Sequence, residues 1–520
     1  MTDRKELLAE LASDNREWDL IVIGGGATGL GIALDAVSRG YQTLLLEQAD
    51  FAKGTSSRST KLVHGGVRYL AQGDVKLVRE ASVERGLLYR NAPHIVRNQT
   101  FIIPIYSHFD KLKYFIGLKL YDWISGKLSL GSSKFISRKK VLEQMSGVKT
   151  RGLLGGIVYH DGQFDDTRLA INLVQSIWEQ GGYAMNYMKV SGLQKNNIGK
   201  ISGVKAYDVE TRAPFQFRAR SVVNATGVFV DEILQMDRPG SAKTICVSQG
   251  VHLVLDKSFY PSENAMMIPK TPDGRVLFAV PWHHKVVLGT TDTPVEEASL
   301  EPRALEKEID FILATASDYL SQKPTRKDVL SVFAGLRPLA APKGENQKTK
   351  EISRSHKIIV SDSNLFTMLG GKWTTFRKMG EDLVDHIERH LQWPHREPQT
   401  AHMPIHGFAP DPDWNDAFYF YGSDAPLLRA QMNGSAGVWI SESLKIHRMQ
   451  VIWAVQNEMA RTVEDVLSRR TRALLLDAAE SIRIAPEVAR IMAKELGKDD
   501  GWVEEQVEAF EKLARQYQLN

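Results

Sequence analysis

Residues 19–31 read DLIVIGGGATGLG, an apolar run that breaks into glycines. A short continuous apolar run bounded by turn residues predicts a strand buried on both faces. IALDAVSRG follows with helical spacing, and YQTLLLEQ returns to an apolar run that ends on Glu47. The pattern is strand, helix, strand within about 30 residues, a βαβ unit. Further along, GGIVYHD (155–161), ISGVKAYD (201–208) and SVVNATG (221–227) read as strands. TRLAINLVQSIWEQGG (167–182) reads as a helix capped at Thr167 and stopped by glycines. Between about 245 and 360 the pattern changes to strand-like alternation in GVHLVLD, RVLFAVPW, KVVLGTTDT and HKIIVSDS. This predicts an antiparallel sheet covering the first unit, interrupted by one helix near 301–322. Residues 363–390 supply another strand, a glycine pair and a helix. Prolines at 394–412 mark a boundary, after which the chain reads as mostly helical to its end.

Gly24, Gly26 and Gly29 fit the pattern G-x-G-x-x-G directly after a strand. The first glycine makes the tight turn, the second admits a pyrophosphate to the backbone, and the third lets helix pack on strand. The following helix would present its N–H groups and positive dipole end to the phosphates. Glu47, at the end of the second strand, stands where a carboxylate can hold ribose hydroxyls. The motif alone does not separate FAD from a nicotinamide dinucleotide. Asn224-Ala225-Thr226-Gly227 and the late GGKWTT (370–375) resemble segments of two-domain FAD proteins. The predicted fold class is α/β: a Rossmann-like FAD domain, an antiparallel-sheet substrate domain and a C-terminal all-helical domain. The first two are interleaved over 17–395, with cofactor parts near 17–90, 150–240 and 355–395 and substrate or cap parts near 91–149 and 241–354. The helical domain is 396–520.

Composition narrows the function classes. A length of 520 residues suits two or three domains, and 43% hydrophobic residues with 25% charged ones is globular. A net charge of +4 with no long basic arm argues against nucleic acid as a partner. The single cysteine, Cys246, excludes an intrachain disulfide and a cysteine-based zinc site. No secretory signal is expected from the charged N-terminal residues, and no apolar run is long enough to span a bilayer. His283-His284 beside Trp282 shows no third ligand at suitable spacing, so a polar turn is expected there and no metal.

IVIGGGATG, TSSRSTKLVHGGVRYL, NATG, GLRP, GGKWTTFR and TVEDVLSRRTRALLLDA (462–478) together resemble the FAD-dependent, quinone-linked glycerol-3-phosphate dehydrogenases. The likeness runs from about residue 17 to the end, and HGGVRYL and GGKWTTFR are its specific parts. Trp373, Phe376 and Thr28 depart mildly from the family pattern. The resemblance implies FAD as cofactor and oxidation of sn-glycerol 3-phosphate to dihydroxyacetone phosphate, with hydride transfer from C2 to flavin N5. It implies electron delivery to a membrane quinone at the cytoplasmic side of the membrane. Relatives that use oxygen tend to carry an inserted segment for which this chain has no obvious room. Amine or hydroxy-acid oxidation by the same fold is the other reading; several cations suited to a dianion speak against it.

The resemblance also assigns roles. Thr55, Ser56, Ser57, His64, Gly65, Gly66, Ala225, Gly227, Gly371, Lys372 and Thr374 join Gly24, Gly26, Gly29 and Glu47 as cofactor contacts. Arg68, Tyr69, Arg337, Arg354 and Lys372 are implied to hold the substrate, where arginine forks suit a phosphate. His252 is implied to sit near the substrate hydroxyl as general base, with Lys372 and Arg337 supporting the reacting charge.

Residues 108–140 carry Lys111, Lys113, Lys119, Lys127, Lys134, Arg138, Lys139 and Lys140 against Asp110 and Asp122. On a helix, Leu112, Phe115, Ile116, Leu120, Trp123 and Ile124 form one apolar stripe. Such a segment suits an anionic bilayer surface; the other reading is a helix packed on its own core with a solvated lysine face. Arg461, Arg469, Arg470 and Arg472 read mainly as packing and ion-pair positions, with a dimer contact as the second reading, and a homodimer is expected.

Overall fold

The structure is a computed structural model, which describes residues 4–66, 74–126, 129–271, 274–341, 355–432 and 438–519. The first sheet has a parallel core in the order Leu365–Leu369, Pro214–Asn224, Glu17–Ile23, Thr43–Leu46, Tyr183–Met185. Helices Ala27–Ser38 and Asp166–Glu179 pack on each other, and Phe376–His390 packs on Ala27–Ser38. Both faces are covered along 20–23, 43–46 and 365–369, which is why these stretches are continuously apolar, whereas 214–220 alternates exposed and buried residues. The βαβ unit closes tightly. A Cβ on Gly29 would lie 1.8 Å from the Gly24 carbonyl oxygen, so only glycine lets this helix approach this strand.

The second sheet has ten strands and is mostly antiparallel. Its longest pairing is Ile245–Asp256 against Val329–Ala340, at one side of the sheet. The strand Gly155–Phe164 belongs here, pairing residue for residue with Val96–Ile105. The expected grouping of 150–240 with the cofactor part therefore does not hold for this strand. Its hydrophobic pattern announces a strand but carries no information about the partner, which lies far away in sequence. Smaller shifts follow from capping. The helix expected from Thr167 starts at Asp166, because Asp165 accepts a hydrogen bond from the Arg168 amide and is the cap. The helix expected near 301–322 spans Glu306–Tyr319.

The C-terminal region holds the helices Arg448–Asn457, Ala478–Leu496 and Asp500–Ala514, whose core continues into the second sheet through Val254, Trp282, Val287 and Phe333. Arg469, Arg470 and Arg472 are 2%, 0% and 1% exposed, so they are internal ion-pair positions and present no surface for a second subunit.

Candidate active site

A cavity of about 420 Å³ is lined by residues of both sheets. At its first end lies the N-terminus of the helix Ala27–Ser38, whose cap residue Gly26 has no side chain to satisfy the orphan amides. Ser56 Oγ accepts from the Ala27 amide at 2.9 Å. Glu47 accepts from the amides of Gly25 (2.7 Å) and Ala49 (2.9 Å), which fixes its carboxylate at the cavity wall. Burial pushes this carboxyl up from its ordinary range, against the two amide donors. Ala225, Thr226 and Gly227 line the same end at the mouth of a neighbouring parallel strand. A helix N-terminus capped by a glycine, a glycine turn and a carboxylate at the second strand fit a dinucleotide.

Thr55, Ser56, His64, Gly66, Gly371, Lys372 and Thr374 line the cavity further along. Three expected cofactor contacts do not. Gly29 packs under Gly24. Ser57 is buried and turned to Gly54, its hydroxyl 3.3 Å from that carbonyl oxygen. Gly65 donates its amide to Tyr121 Oη (3.0 Å), where a Cβ would lie 2.4 Å from the same oxygen. Its glycine identity is a demand of packing against Tyr121. Trp373 has a function in this site: its indole N–H donates to the Ser56 carbonyl at 2.8 Å and so ties the two cofactor loops together.

His252 and Arg337 project from the paired strands Ile245–Asp256 and Val329–Ala340 of the second sheet into the same cavity. His252 is 2% exposed and its ring stacks on Phe333 at 4.8 Å. Its Nε2 lies 2.9 Å from Thr60 Oγ1, and Nδ1 has no partner among the described residues. Burial depresses its pKa well below the ordinary value, and the charges of Arg337 and Lys61 add to this, so the imidazole is neutral at pH 7. Arg337 donates to the Thr291 carbonyl (3.1 Å) and lies 3.4 Å from Asp292. Lys372 lines the cavity with its Nζ shielded from solvent. Arg68, Tyr69 and Arg354 lie outside the described residues.

Several lining residues escaped the sequence reading: Thr60, Arg58, Lys53, Arg275 and Thr290. Two glycines carried a usable signal. A Cβ on Gly250 would lie 2.3 Å from Arg337 Nη2, and one on Gly289 would lie 2.2 Å from His252 Cδ2. Glycine inside a strand marks such close approaches. Beneath the cavity, Lys61 Nζ is held by both Asp166 oxygens (2.7 and 2.8 Å) and the Ser57 carbonyl (2.7 Å), which pins the run from Ser57 to Lys61 from below.

The far end of the cavity is apolar, lined by Phe101, Tyr159, Met267 and Phe278. These residues share a cluster with Leu118 of the helix His108–Ser125. That helix packs inward through Leu118 and Tyr121, while Phe109, Leu112, Ile116, Leu120 and Trp123 are exposed on its outer side. Phe115 and Ile124, expected in the same stripe, are half-buried. Among the described residues no helix is long and apolar enough to cross a membrane.

A dinucleotide-binding sheet facing an antiparallel sheet across one cavity is the architecture of the two-domain flavin oxidoreductases. Residues 19–376 match the family model "FAD dependent oxidoreductase", and residues 369–503 match "C-terminal domain of alpha-glycerophosphate oxidase". A probable mitochondrial glycerol-3-phosphate dehydrogenase of Caenorhabditis elegans is 37% identical over 95% of this chain and 72% of its own length. The mitochondrial glycerol-3-phosphate dehydrogenase of Homo sapiens is 36% identical over 96% of this chain and 73% of its own. The crystal structure of the glycerol-3-phosphate dehydrogenase of Bacillus halodurans, complexed with FAD, superposes with a TM-score of 0.80 at 31% identity, over 99% of this chain and 97% of that one. The chain belongs to the FAD-dependent oxidoreductases and, within them, to the glycerol-3-phosphate dehydrogenase family, and FAD is its cofactor.

Proposed function

We propose that the protein oxidises sn-glycerol 3-phosphate to dihydroxyacetone phosphate and passes the electrons to a quinone at the cytoplasmic face of a membrane. The observation that carries this reading is the meeting of Arg337, His252 and Lys372 in the cavity that also holds the dinucleotide loops. Bound FAD supplies the acceptor for the hydride that leaves C2. Arg337 offers a planar fork to the phosphate, with Arg68 and Arg354 as further cations from the sequence motif. Lys372 places positive charge where the substrate oxygen becomes negative. His252, neutral and paired with Thr60, accepts the hydroxyl proton. A dianionic phosphate beside Arg337 offsets the share of the depression that this charge causes, while burial, the larger cause, stays.

The membrane part rests on the helix His108–Ser125. Its exposed apolar side chains lie alongside exposed Lys113 and Lys119, a composition suited to the headgroup boundary of an anionic bilayer. The apolar end of the cavity adjoins the buried side of that helix, which supports a lipid-soluble acceptor arriving from there.

An anaerobic titration tests the proposal. Addition of sn-glycerol 3-phosphate to the purified holoprotein should bleach the flavin band, and a soluble quinone analogue should restore it. A band that survives glycerol 3-phosphate refutes the substrate. Rapid recovery in oxygen but not with quinone makes the protein an oxidase.

A further inference from the structure

The loop 47–58 makes much of the dinucleotide end of the cavity, and the C-terminal helical region grips it from outside at two separate points. At the first, Asp50 is fully buried behind Glu47. It accepts from Arg469 Nε at 2.5 Å and from Arg470 Nη2 at 2.9 Å, with a further short contact to Arg470 Nη1. Both arginines come from one helical turn, Asp465–Arg470. Glu464, the cap residue before that turn, accepts from Lys53 Nζ at 2.8 Å. At the second point, Arg58 lines the cavity and donates to Glu301 (2.6 Å) and to Tyr517 Oη (3.1 Å), near the end of the chain. Tyr517 Oη in turn donates to Glu301 at 3.0 Å.

We propose that the C-terminal helical region is a clasp for the cofactor: Arg469 and Arg470 on Asp50, and Tyr517 on Arg58, hold the loop 47–58 in the shape that retains FAD. The reason is geometric. Glu47 is three residues from Asp50, and its carboxylate is held by backbone amides, those of Gly25 and Ala49 among them. The loop between Glu47 and Thr55 has no regular secondary structure of its own, so its conformation is set by what it touches. The Arg470–Asp50 pair is bidentate and buried, which makes it directional as well as strong. These arginines are positioning residues; they reach the cofactor only through the loop.

The test is FAD affinity, read from the fluorescence of released flavin and independent of turnover. Asp50→Asn and Tyr517→Phe are compared with Glu210→Gln, which breaks a pair between Glu210 and Arg461 that joins the same two parts of the molecule away from the loop. Losing a charge-assisted hydrogen bond should raise the FAD dissociation constant about tenfold or more in Asp50→Asn. Tyr517→Phe should speed FAD release by a few fold, and Glu210→Gln should leave both unchanged. Saturating FAD should restore kcat with an unaltered KM for glycerol 3-phosphate. FAD affinity within twofold of the native value in both loop variants overturns the proposal, as does a raised substrate KM with unaltered FAD affinity. If Asp50→Asn fails to fold, Tyr517→Phe, which removes one hydroxyl, decides alone.

Discussion

Thr60 Oγ1 lies 2.9 Å from Nε2 of His252, a residue 192 positions away on the strand Ile245–Asp256. One ring nitrogen thus has a fixed partner, and the ring plane is fixed by Phe333 behind it. A neutral histidine has one N–H and one lone pair, and the hydroxyl can pair with either at Nε2, so it holds the ring in place in both tautomers. Thr60→Val should lower kcat about tenfold to a hundredfold, within the range of general base catalysis, with flavin content unchanged. Thr60→Ser should restore most of the rate, and the rate–pH profile separates the two. An unaltered profile in the valine variant would remove Thr60 from the proton path.

Gly289 leaves room for the same ring. A methyl group placed 2.2 Å from His252 Cδ2 must push the imidazole out of its place. Gly289→Ala should cost about a hundredfold in kcat, as a displacement near 1 Å of a reacting group does. The FAD absorbance should stay native, because the first sheet is untouched.

Glu47 tests the other end of the cavity. Glu47→Gln removes the anion that two amides and a ribose diol would share. The FAD dissociation constant should rise about tenfold to a hundredfold, measured by equilibrium dialysis. Substrate KM at saturating FAD should be unaffected.

The exposed side chains Leu112, Ile116 and Trp123 carry the membrane reading. Replacing all three with serine should weaken binding to vesicles of anionic phospholipid at least about a hundredfold, since each contributes about 1.5–3 kcal/mol when buried. Activity with a water-soluble electron acceptor should remain. Cosedimentation equal to the native protein would reassign this face.

Asp50 gives the pH dependence. Burial alone would raise its pKa; Arg470 and Arg469 outweigh burial and hold it at about 2, below the ordinary 3.8. A folded-state pKa below the unfolded one contributes stability above about pH 4 that is lost as pH falls towards 2. The contribution is about 2 kcal/mol. Thermal melts between pH 6 and pH 3, on the order of one curve per half unit, should show a smaller acid drop in Asp50→Asn than in the native chain.

The βαβ unit was legible because every requirement of a dinucleotide turn is local: glycines 24, 26 and 29, the apolar strand and Glu47 lie within one continuous stretch. The alternation from 245 to 360 was legible for the same reason, since a strand announces itself with a period of two. Strand partners were not. Gly155–Phe164 reads equally well in either sheet, and only the assembled core places it against Val96–Ile105. The family motifs named Arg337, His252 and Lys372, but their convergence belongs to the fold. Thr60 was passed over inside a run rich in hydroxyls, because nothing in its neighbours points to a histidine 192 residues away. Asp50 and Arg470, 420 residues apart, illustrate the same limit. Sequence determines periodicity, turns and which chemistry is available, since these depend on near neighbours. Tertiary structure decides which groups meet, because long-range pairing depends on how whole hydrophobic faces are buried together.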